Sequence, residues 1–405
     1  NPSLVGSEMC IRDSLYTGSL ALITMFDLAL PIWVVAVAIG LLGSSYAIFG
    51  GLKSVAVSDT LNGIGLLIGG LMIPVLALIA LGNGSFFEGI SILGTEKPEY
   101  LRVLTQQNLD GKQVSVPWPT LLTGMMFIQI FYWSTNQVIV QRAMAAKSLA
   151  EGQKGVLFAS AMKLVGPLML CLPGIIALHM PDLLIEKQDQ VYGAVVRHVL
   201  PDWSLGLFAA VLMGSILSSF NSALNSASTL FSLQFYKGYI NKKAKGFEIV
   251  SVGKKFGIAL ALISMLIAPL LSQLDSVFQY LQKVNGIYSV PIIAIFLLGI
   301  LTKHIPAIGA KFGMLVGFVS YAYFVFFPVE GLHWLHMYFI SFTWSVMVML
   351  LIGYLRPKTQ KEIEKSDERD PAPVDMTPWP RAKEASVGIL STTVIIYLLL
   401  SLASA

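Results

Sequence analysis

Residues 204–236 read SLGLFAAVLMGSILSSFNSALNSASTLFSLQFY, a stretch without a single Asp, Glu, Lys or Arg. About 20 apolar residues in a helix cross the roughly 30 Å hydrocarbon layer of a membrane, so this stretch is long enough to span it. A strand of a membrane barrel would be about half as long and would alternate apolar with polar residues. The stretch therefore predicts a membrane-spanning α-helix.

The composition of the whole chain extends this interpretation. Of the 405 residues, 55% are hydrophobic and 12% are charged, and the mean hydropathy is +0.72. Soluble domains carry roughly 25% charged residues, and a soluble chain with so few charges would expose more apolar surface than it could bury. A soluble globule is excluded. The 27 basic and 23 acidic residues do not form a basic, aromatic-rich surface, so nucleic acid is not an expected partner.

Apolar stretches of spanning length recur along the chain and predict an all-α integral membrane bundle, because helices satisfy their own backbone hydrogen bonds in lipid. We expect ten complete spans and a partial one at 15–29. The ten lie near 31–52, 57–82, 119–140, 155–180, 204–236, 256–273, 276–302, 306–327, 332–355 and 386–404.

The Lys and Arg residues between the spans predict their orientation. Alternate connections carry nineteen and five basic residues. Cytoplasmic loops are enriched in Lys and Arg, so the richer set is expected inside a cell membrane and the C-terminus outside it. The connection 356–385 holds seven basic residues, seven acidic residues and five prolines. It is expected to be a cytoplasmic linker within the membrane domain of residues 15–404.

The first fourteen residues differ in character from those that follow. Residues 1–14 are largely polar and run directly into the apolar segment 15–29. Residues 4–14, LVGSEMCIRDS, resemble one reading frame of a common transposase sequencing adapter. We therefore expect residues 1–14 to be an artefact and the natural protein to begin earlier than this chain.

A stripe of neutral oxygen-bearing side chains runs along the 204–236 span at spacings of three and four residues. Such a stripe lies on one helical face, and hydroxyls with loosened backbone carbonyls can ligate a cation such as Na⁺. The alternative is that small residues allow close helix packing. The members are Ser215, Ser218, Ser219, Ser222, Asn225, Ser226 and Thr229.

Two ionised residues within spans are further candidates. Asp59 is the only ionised group of the 57–82 span, and it would either ligate a cation or cap its own helix. Lys163 lies nine residues, or about 13 Å of helix, beyond Lys154. That depth is large for snorkelling, so a partner or a polar ligand is expected for its ammonium group.

Amide and aromatic groups mark a possible solute site. Gln129, Tyr132 and Asn136 share one face of the 119–140 span, and the polar run 132–137 favours a broken helix. Gln282 and Lys283 interrupt the 276–302 span in the same way and predict a second break. Such groups suit a neutral, hydroxyl-rich solute, or they tie helices together.

Other chemistries find little support in the sequence. The spans lack clustered His, Asp and Glu of catalytic type, which argues against an enzyme, and no phosphate-binding loop is present. We expect no cofactor apart from Na⁺ as the coupling ion. The sequence leaves the oligomeric state open.

Three motifs resemble the sodium/solute symporter family, in particular its sodium/glucose and sodium/galactose cotransporter branch. The likeness runs from about residue 15 to the end and is strongest over 120–300. Its motifs are YWSTNQVIVQR at 132–142 with AAK at 145–147, SSFNS at 218–222 continuing through NSASTLF at 225–231, and FQYLQ at 278–282.

This resemblance implies a LeuT-like bundle of two inverted five-helix repeats, of which the first helices would be missing here. Its conserved sodium site corresponds to the carbonyl of Ser215 and the hydroxyls of Ser218 and Ser219. A second sodium site, present in some members, corresponds to Asp59, Ser218 and Ser222, with Asn221 where a hydroxyl is usual.

The resemblance also implies a sugar site formed by Gln129, Tyr132, Lys163 and Gln282. The expected activity is Na⁺-coupled uptake of a sugar or related polyhydroxylated solute by alternating access. The alternatives are the same fold carrying a polyol, sialic acid or a carboxylate, and a membrane sensor that does not transport.

Overall fold

The computed structural model describes residues 2–101, 116–183, 185, 187–274, 277–360, 363 and 374–403, and it is an all-helical membrane fold. Within the predicted linker 356–385, residues 361–362 and 364–373 lie outside the described residues. The helices are α1 (Pro2–Phe26), α2 (Ile32–Leu81), α3 (Phe86–Thr95), α4 (Met126–Ser134), α5 (Gln137–Met144), α6 (Leu149–Lys163), α7 (Gly166–Leu170), α8 (Leu172–Ala177), α9 (Val191–Val199), α10 (Asp202–Leu230), α11 (Gly246–Ile267), α12 (Val277–Leu301), α13 (Ala307–Phe326), α14 (His336–Leu355) and α15 (Ala382–Ala403).

Seven helical segments in the described part of the chain are long and apolar enough to cross a membrane, and a bent pair makes an eighth. Eight of the ten predicted spans correspond to these. Segments 31–52 and 119–140 do not form separate helices of spanning length among the described residues. The segments are Val57–Leu81, Asp202–Ile240, Gly246–Gln273, Gln279–Leu301, Ala307–Phe326, His336–Leu355 and Ala382–Leu399, with α6 and Gly166–Ala177 as the bent pair.

The prediction of two separate spans over 31–52 and 57–82 is wrong in its boundary, since helix α2 runs through both. Its 50 residues would be about 75 Å long if straight. Gly43 packs on Phe220 of α10, and Gly69 packs on Phe208. Residues 208 and 220 are about 18 Å apart along α10, whereas a straight helix would separate the two glycines by about 39 Å. α2 is therefore bent between them.

Helix breaks occur at one of the two predicted positions. The chain leaves the helix between Ser134 and Gln137, and Asn136 caps α5 by accepting a hydrogen bond from the N–H of Val138 (2.9 Å). This confirms the break expected from the polar run 132–137. The second prediction is wrong: α12 continues through Gln282 and Lys283.

The predicted span over 155–180 is present as a bent pair of helical segments. The helix divides into α6, α7 and α8, and its two halves are bent by 43°. Pro167 and Pro173 each lie at the start of a new segment. Proline donates no backbone hydrogen bond, so each can begin a helical turn but interrupts a continuous one.

Helix α10 lies at the centre of the bundle and packs on α1, α2 and α11. Gly65 and Gly69 of α2 receive the side chains of Val211 and Phe208, so small residues here allow close helix packing. The outer helices expose most of their apolar side chains, and α15 buries none of its apolar segment. Such exposed apolar faces suit contact with lipid.

The adapter-like segment continues into helix α1 without a break. Ile11 is fully buried and packs in a cluster with Leu15 and Phe220. The interpretation of residues 1–14 as an artefact stays a prediction.

Candidate sodium and solute sites

The predicted sodium ligands lie on the central helix α10. Ser215 and Ser218 are half-buried and Ser219 is exposed. The hydroxyl of Ser219 donates to the carbonyl oxygen of Ser215 (3.3 Å), so two of the three predicted ligand oxygens are neighbours. A hydroxyl that bonds within its own helix can rotate to a cation, because the main chain keeps its own hydrogen bonds.

The side chain of Arg142 links Asp59 of α2 to helix α10. The Nη2 atom of Arg142 lies 2.6 Å from Oδ2 of Asp59, and it also donates to the hydroxyl of Ser222. This contact brings together α2, α5 and α10. Asp59 lies in the interior of α2, so the alternative that it caps its own helix is wrong.

The residues of the predicted second sodium site are more buried than those of the first. Ser222 is 2% exposed, and its hydroxyl donates to the carbonyl of Ser218 (2.7 Å). Asn221 is fully buried, and neither atom of its amide has a hydrogen-bond partner in the described part of the chain. Oδ1 of Asp59 is likewise buried without a partner there.

The helix break before α5 positions Arg142. Asn136 starts α5 in a new direction, and the side chain of Gln141 then donates to the hydroxyl of Ser226 (2.9 Å). Gln141 and Arg142 therefore contact α10 at positions four residues apart, Ser226 and Ser222. Residues with this spacing share one helical face.

In the sequence, Arg142 is one of the basic residues of the connections and the last residue of the motif at 132–142, and neither observation gave it a role in the site. A usable signal was present. An aspartate that is the only ionised group of an apolar span needs a counter-charge, and Arg142 is a basic residue at the end of a neighbouring span.

Three of the four predicted solute residues lie on or beside α4. Gln129 is exposed and Tyr132 is 37% exposed. The ring of Tyr132 contacts that of Trp133 (5.6 Å between centroids), and the ammonium of Lys163 lies 5.9 Å from the Trp133 centroid. The expected partner of Lys163 is thus an aromatic face, a favourable cation–π geometry.

The fourth solute residue, Gln282, is positioned by a different group. Its backbone carbonyl accepts a hydrogen bond from the hydroxyl of Tyr338, whose ring stacks on Tyr321 (5.0 Å, 6° between planes). Both rings are almost fully buried. The contacts described thus place Gln282 against α14 and the other three residues on or near α4.

Among the described residues, no group of three or more His, Cys, Asp or Glu could hold a transition metal. The oxygens described above are hydroxyls, carbonyls and one carboxylate. Oxygen ligands of this kind suit hard cations.

Comparison with known proteins gives the family. The chain is 41% identical over 404 residues to the uncharacterized symporter YidK of Escherichia coli, covering 97% of this chain and 69% of that protein. It is 31% identical over 338 residues to the sodium/glucose cotransporter of Vibrio parahaemolyticus, covering 79% of this chain and 62% of that protein.

A solved structure shares the fold. The outward-open, substrate-bound state of a Na⁺-coupled sialic acid symporter aligns with a TM-score of 0.72 at 21% identity, covering 88% of this chain and 75% of that one. These proteins are transporters, not enzymes. The sodium:solute symporter family matches residues 4–317, and the chain belongs to this family.

Proposed function

We propose that this protein couples the inward movement of Na⁺ to the uptake of a sugar or a related polyhydroxylated solute. The observation that carries the proposal is the cluster of oxygens on α10, where the hydroxyl of Ser219 lies 3.3 Å from the carbonyl of Ser215. Ser218 supplies the third ligand. The sodium/glucose cotransporter among the relatives supports the choice of solute.

The proposed solute site combines Gln129, Tyr132, Lys163 and Gln282. Amide groups both donate and accept hydrogen bonds to hydroxyls, and an aromatic ring covers the apolar face of a sugar. A second candidate is a solute that carries a carboxylate. The exposed ammonium of Lys163 and the likeness to a sialic acid symporter favour this candidate.

The energetics of coupling are sufficient for accumulation. One Na⁺ moving down about 100 mV and a tenfold gradient releases roughly 2.3 plus 1.4 kcal/mol, enough to concentrate a neutral solute several-hundred-fold. In alternating access, bound Na⁺ stabilises the outward-open state and completes the solute site. The protein then releases both on the cytoplasmic side.

The proposed location is the cell membrane, with the C-terminus outside. The excess of Lys and Arg in alternate connections supports this orientation. A cysteine introduced at the end of α15 should react with an impermeant thiol reagent added to intact cells.

The sodium assignment is tested by uptake into liposomes. Ser219→Ala should raise the Na⁺ concentration for half-maximal uptake at least tenfold, because about 1.4 kcal/mol of ligand interaction corresponds to a factor of ten. Ser204→Ala on the same helix is the matched control, since the hydroxyl of Ser204 donates to the carbonyl of Pro201, which precedes α10, 11 residues before Ser215. Unchanged Na⁺ dependence in Ser219→Ala would refute the assignment.

The solute assignment is tested separately. Lys163→Ala and Gln282→Ala should raise the KM for the solute more than they change the Na⁺ requirement. A panel of sugars, polyols, sialic acid and carboxylates competing for uptake distinguishes the two candidate classes.

A further inference from the structure

The segment 237–255, which includes the first turns of α11, carries a dense group of lysines. It contains six Lys and one Glu. All six lysines are exposed, and none has an ion-pair partner within the part of the chain that the structure describes. Glu248 is engaged elsewhere, since its Oε1 atom accepts hydrogen bonds from the hydroxyl of Tyr236 (2.5 Å) and the amide of Asn241 (2.9 Å). The members of this lysine segment are Lys237, Lys242, Lys243, Lys245, Lys254 and Lys255.

Exposed aromatic rings accompany the lysine segment. Phe235, Tyr239 and Phe247 are 51%, 82% and 87% exposed. Phe235 also contacts the rings of Phe231 (5.3 Å between centroids) and Tyr239 (6.2 Å). Aromatic rings mixed with Lys are typical of surfaces that lie among lipid headgroups. The segment therefore has the composition of a membrane-interface surface.

A groove between α10 and α11 opens beside the lysine segment. It has a volume of about 450 Å³ and is lined along α11 from Gly246 to Gly257, about 16 Å of helix. Lys254 lines the groove, and Lys254 and Lys255 immediately precede the apolar stretch 256–273. The groove therefore lies where the hydrocarbon layer gives way to the headgroups.

The α10 side of the groove offers polar groups that are not in use. Asn225, Ser228 and Thr229 line it, and their side chains make no hydrogen bond among the described residues. A Cβ atom at Gly257 would lie 2.7 Å from Oγ of Ser228, so glycine at this position leaves room beside the hydroxyl. Asn225 and Thr229 belong to the oxygen-bearing stripe of α10, and neither the sodium site nor the solute site uses them. They can donate hydrogen bonds to a ligand that also binds Lys254.

An exposed apolar face continues from the groove into the membrane. Ile258, Leu262 and Leu266 are 45%, 51% and 77% exposed. They follow Lys254 at intervals of four residues, so each lies one turn beyond the last along one side of α11. A ligand with a negatively charged head and apolar chains matches this order of groups. A soluble phosphate has nothing to place on the apolar side chains, and an acidic peptide does not follow them into lipid.

We propose that the groove between α10 and α11 binds an anionic phospholipid of the cytoplasmic leaflet. Lys254 and the polar side chains of α10 hold its phosphate, and its acyl chains pack on Ile258 and Leu262. The other lysines of the segment attract anionic headgroups to the same surface, as lysine clusters beside a membrane span do. This inference goes beyond the proposed function, because it concerns lipid binding and depends on neither Na⁺ nor the solute.

The test measures lipid binding to the purified full chain by native mass spectrometry. The protein is titrated in detergent with dioleoylphosphatidylglycerol or dioleoylphosphatidylcholine, which share their acyl chains and differ in net charge. The anionic lipid should bind roughly tenfold more tightly. Lys254→Gln should raise its Kd about fivefold, the factor that corresponds to about 1 kcal/mol for one Lys at an anionic surface. Lys311→Gln is the matched control, since Lys311 is an exposed lysine of α13 outside the groove, and its Kd should not change.

A second variant fills the groove and leaves every charge in place. Gly246→Leu adds a side chain to the lining at a position where an added Cβ has no atom within 4 Å. It should also raise the Kd for phosphatidylglycerol, by about fivefold or more, because the headgroup loses its contact with the groove. Gly238→Leu is its control, since Gly238 is equally unobstructed and does not line the groove.

Three results would overturn the lipid proposal. The first is equal affinity of the unchanged protein for the two lipids, and the second is an unchanged Kd in either Lys254→Gln or Gly246→Leu. The third is displacement of phosphatidylglycerol by millimolar glycerol 3-phosphate or hexaglutamate, which would assign the lysines to a free phosphate or to an acidic protein segment. Since none of these measurements involves transport, they leave the proposed function to its own tests.

Discussion

Replacement of Gly286 by alanine should destabilise the bundle next to the proposed solute site. A Cβ atom at this position would overlap with ring carbon Cε1 of Tyr338 and would lie 2.6 Å from Oη of Tyr321. Both rings are at most 1% exposed, so neither can move aside into open space. The substitution therefore forces two stacked rings apart and moves Tyr338 away from the carbonyl of Gln282.

The magnitude follows from three contributions. Overpacking of a filled core costs about 1–3 kcal/mol. Loss of the Tyr338 hydrogen bond adds about 0.5–1.5 kcal/mol, and the better helix propensity of alanine returns about 1 kcal/mol. Gly286→Ala should therefore lower the free energy of unfolding by about 0.5–3.5 kcal/mol. Gly299→Ala on the same helix should raise the free energy of unfolding by up to about 1 kcal/mol, since its added Cβ has no atom within 4 Å.

The assay is thermal unfolding in detergent, followed by tryptophan fluorescence. Gly286→Ala should unfold several degrees below Gly299→Ala, because about 1 kcal/mol shifts the midpoint by roughly 2–4 °C in domains of 150–250 residues. It should also raise the KM for the solute through Gln282. Equal unfolding temperatures for the two variants would show that the packing argument is wrong.

Two further predictions concern the ends of the bundle. Desolvation, followed by repulsion from His336 and Lys283, lowers the pKa of His333 to about 4. Between pH 4 and 6.5 the unfolded state therefore binds more protons than the folded state, so the free energy of unfolding should rise with pH across this window. His333→Asn should flatten the rise. Equal slopes of unfolding free energy against pH in the two proteins would contradict this. The side chain of Gln153 accepts a hydrogen bond from the N–H of Trp379 (2.7 Å). Loss of this hydrogen bond should cost about 0.5–1.5 kcal/mol of local stability. Gln153→Ala should therefore speed tryptic cleavage next to Trp379 by about 2- to 13-fold. An unchanged rate there, with cleavage elsewhere as the internal reference, would argue against this tether.

The break before α5 and the missing break in α12 show what local sequence can and cannot predict. Both positions carry polar residues inside an apolar span. At 132–137 the helix ends because Asn136 offers the backbone an alternative hydrogen-bond partner. In α12 the ammonium group of Lys283 instead lies over the ring of Trp334, outside this helix, at 6.0 Å from the ring centroid. The backbone keeps its helical hydrogen bonds, and the helix continues.

The amino-acid sequence by itself determined that the chain is a helical membrane protein and which helix carries the oxygen-lined face. Those properties follow from side-chain transfer energies and helical spacing, which add up residue by residue along a segment. Only the tertiary structure decided that Asp59 pairs with Arg142, 83 residues away, and that α2 bends instead of ending. Such pairings depend on how distant helices pack, and nothing in the local sequence specifies which of several basic residues comes within 3 Å of a given carboxylate.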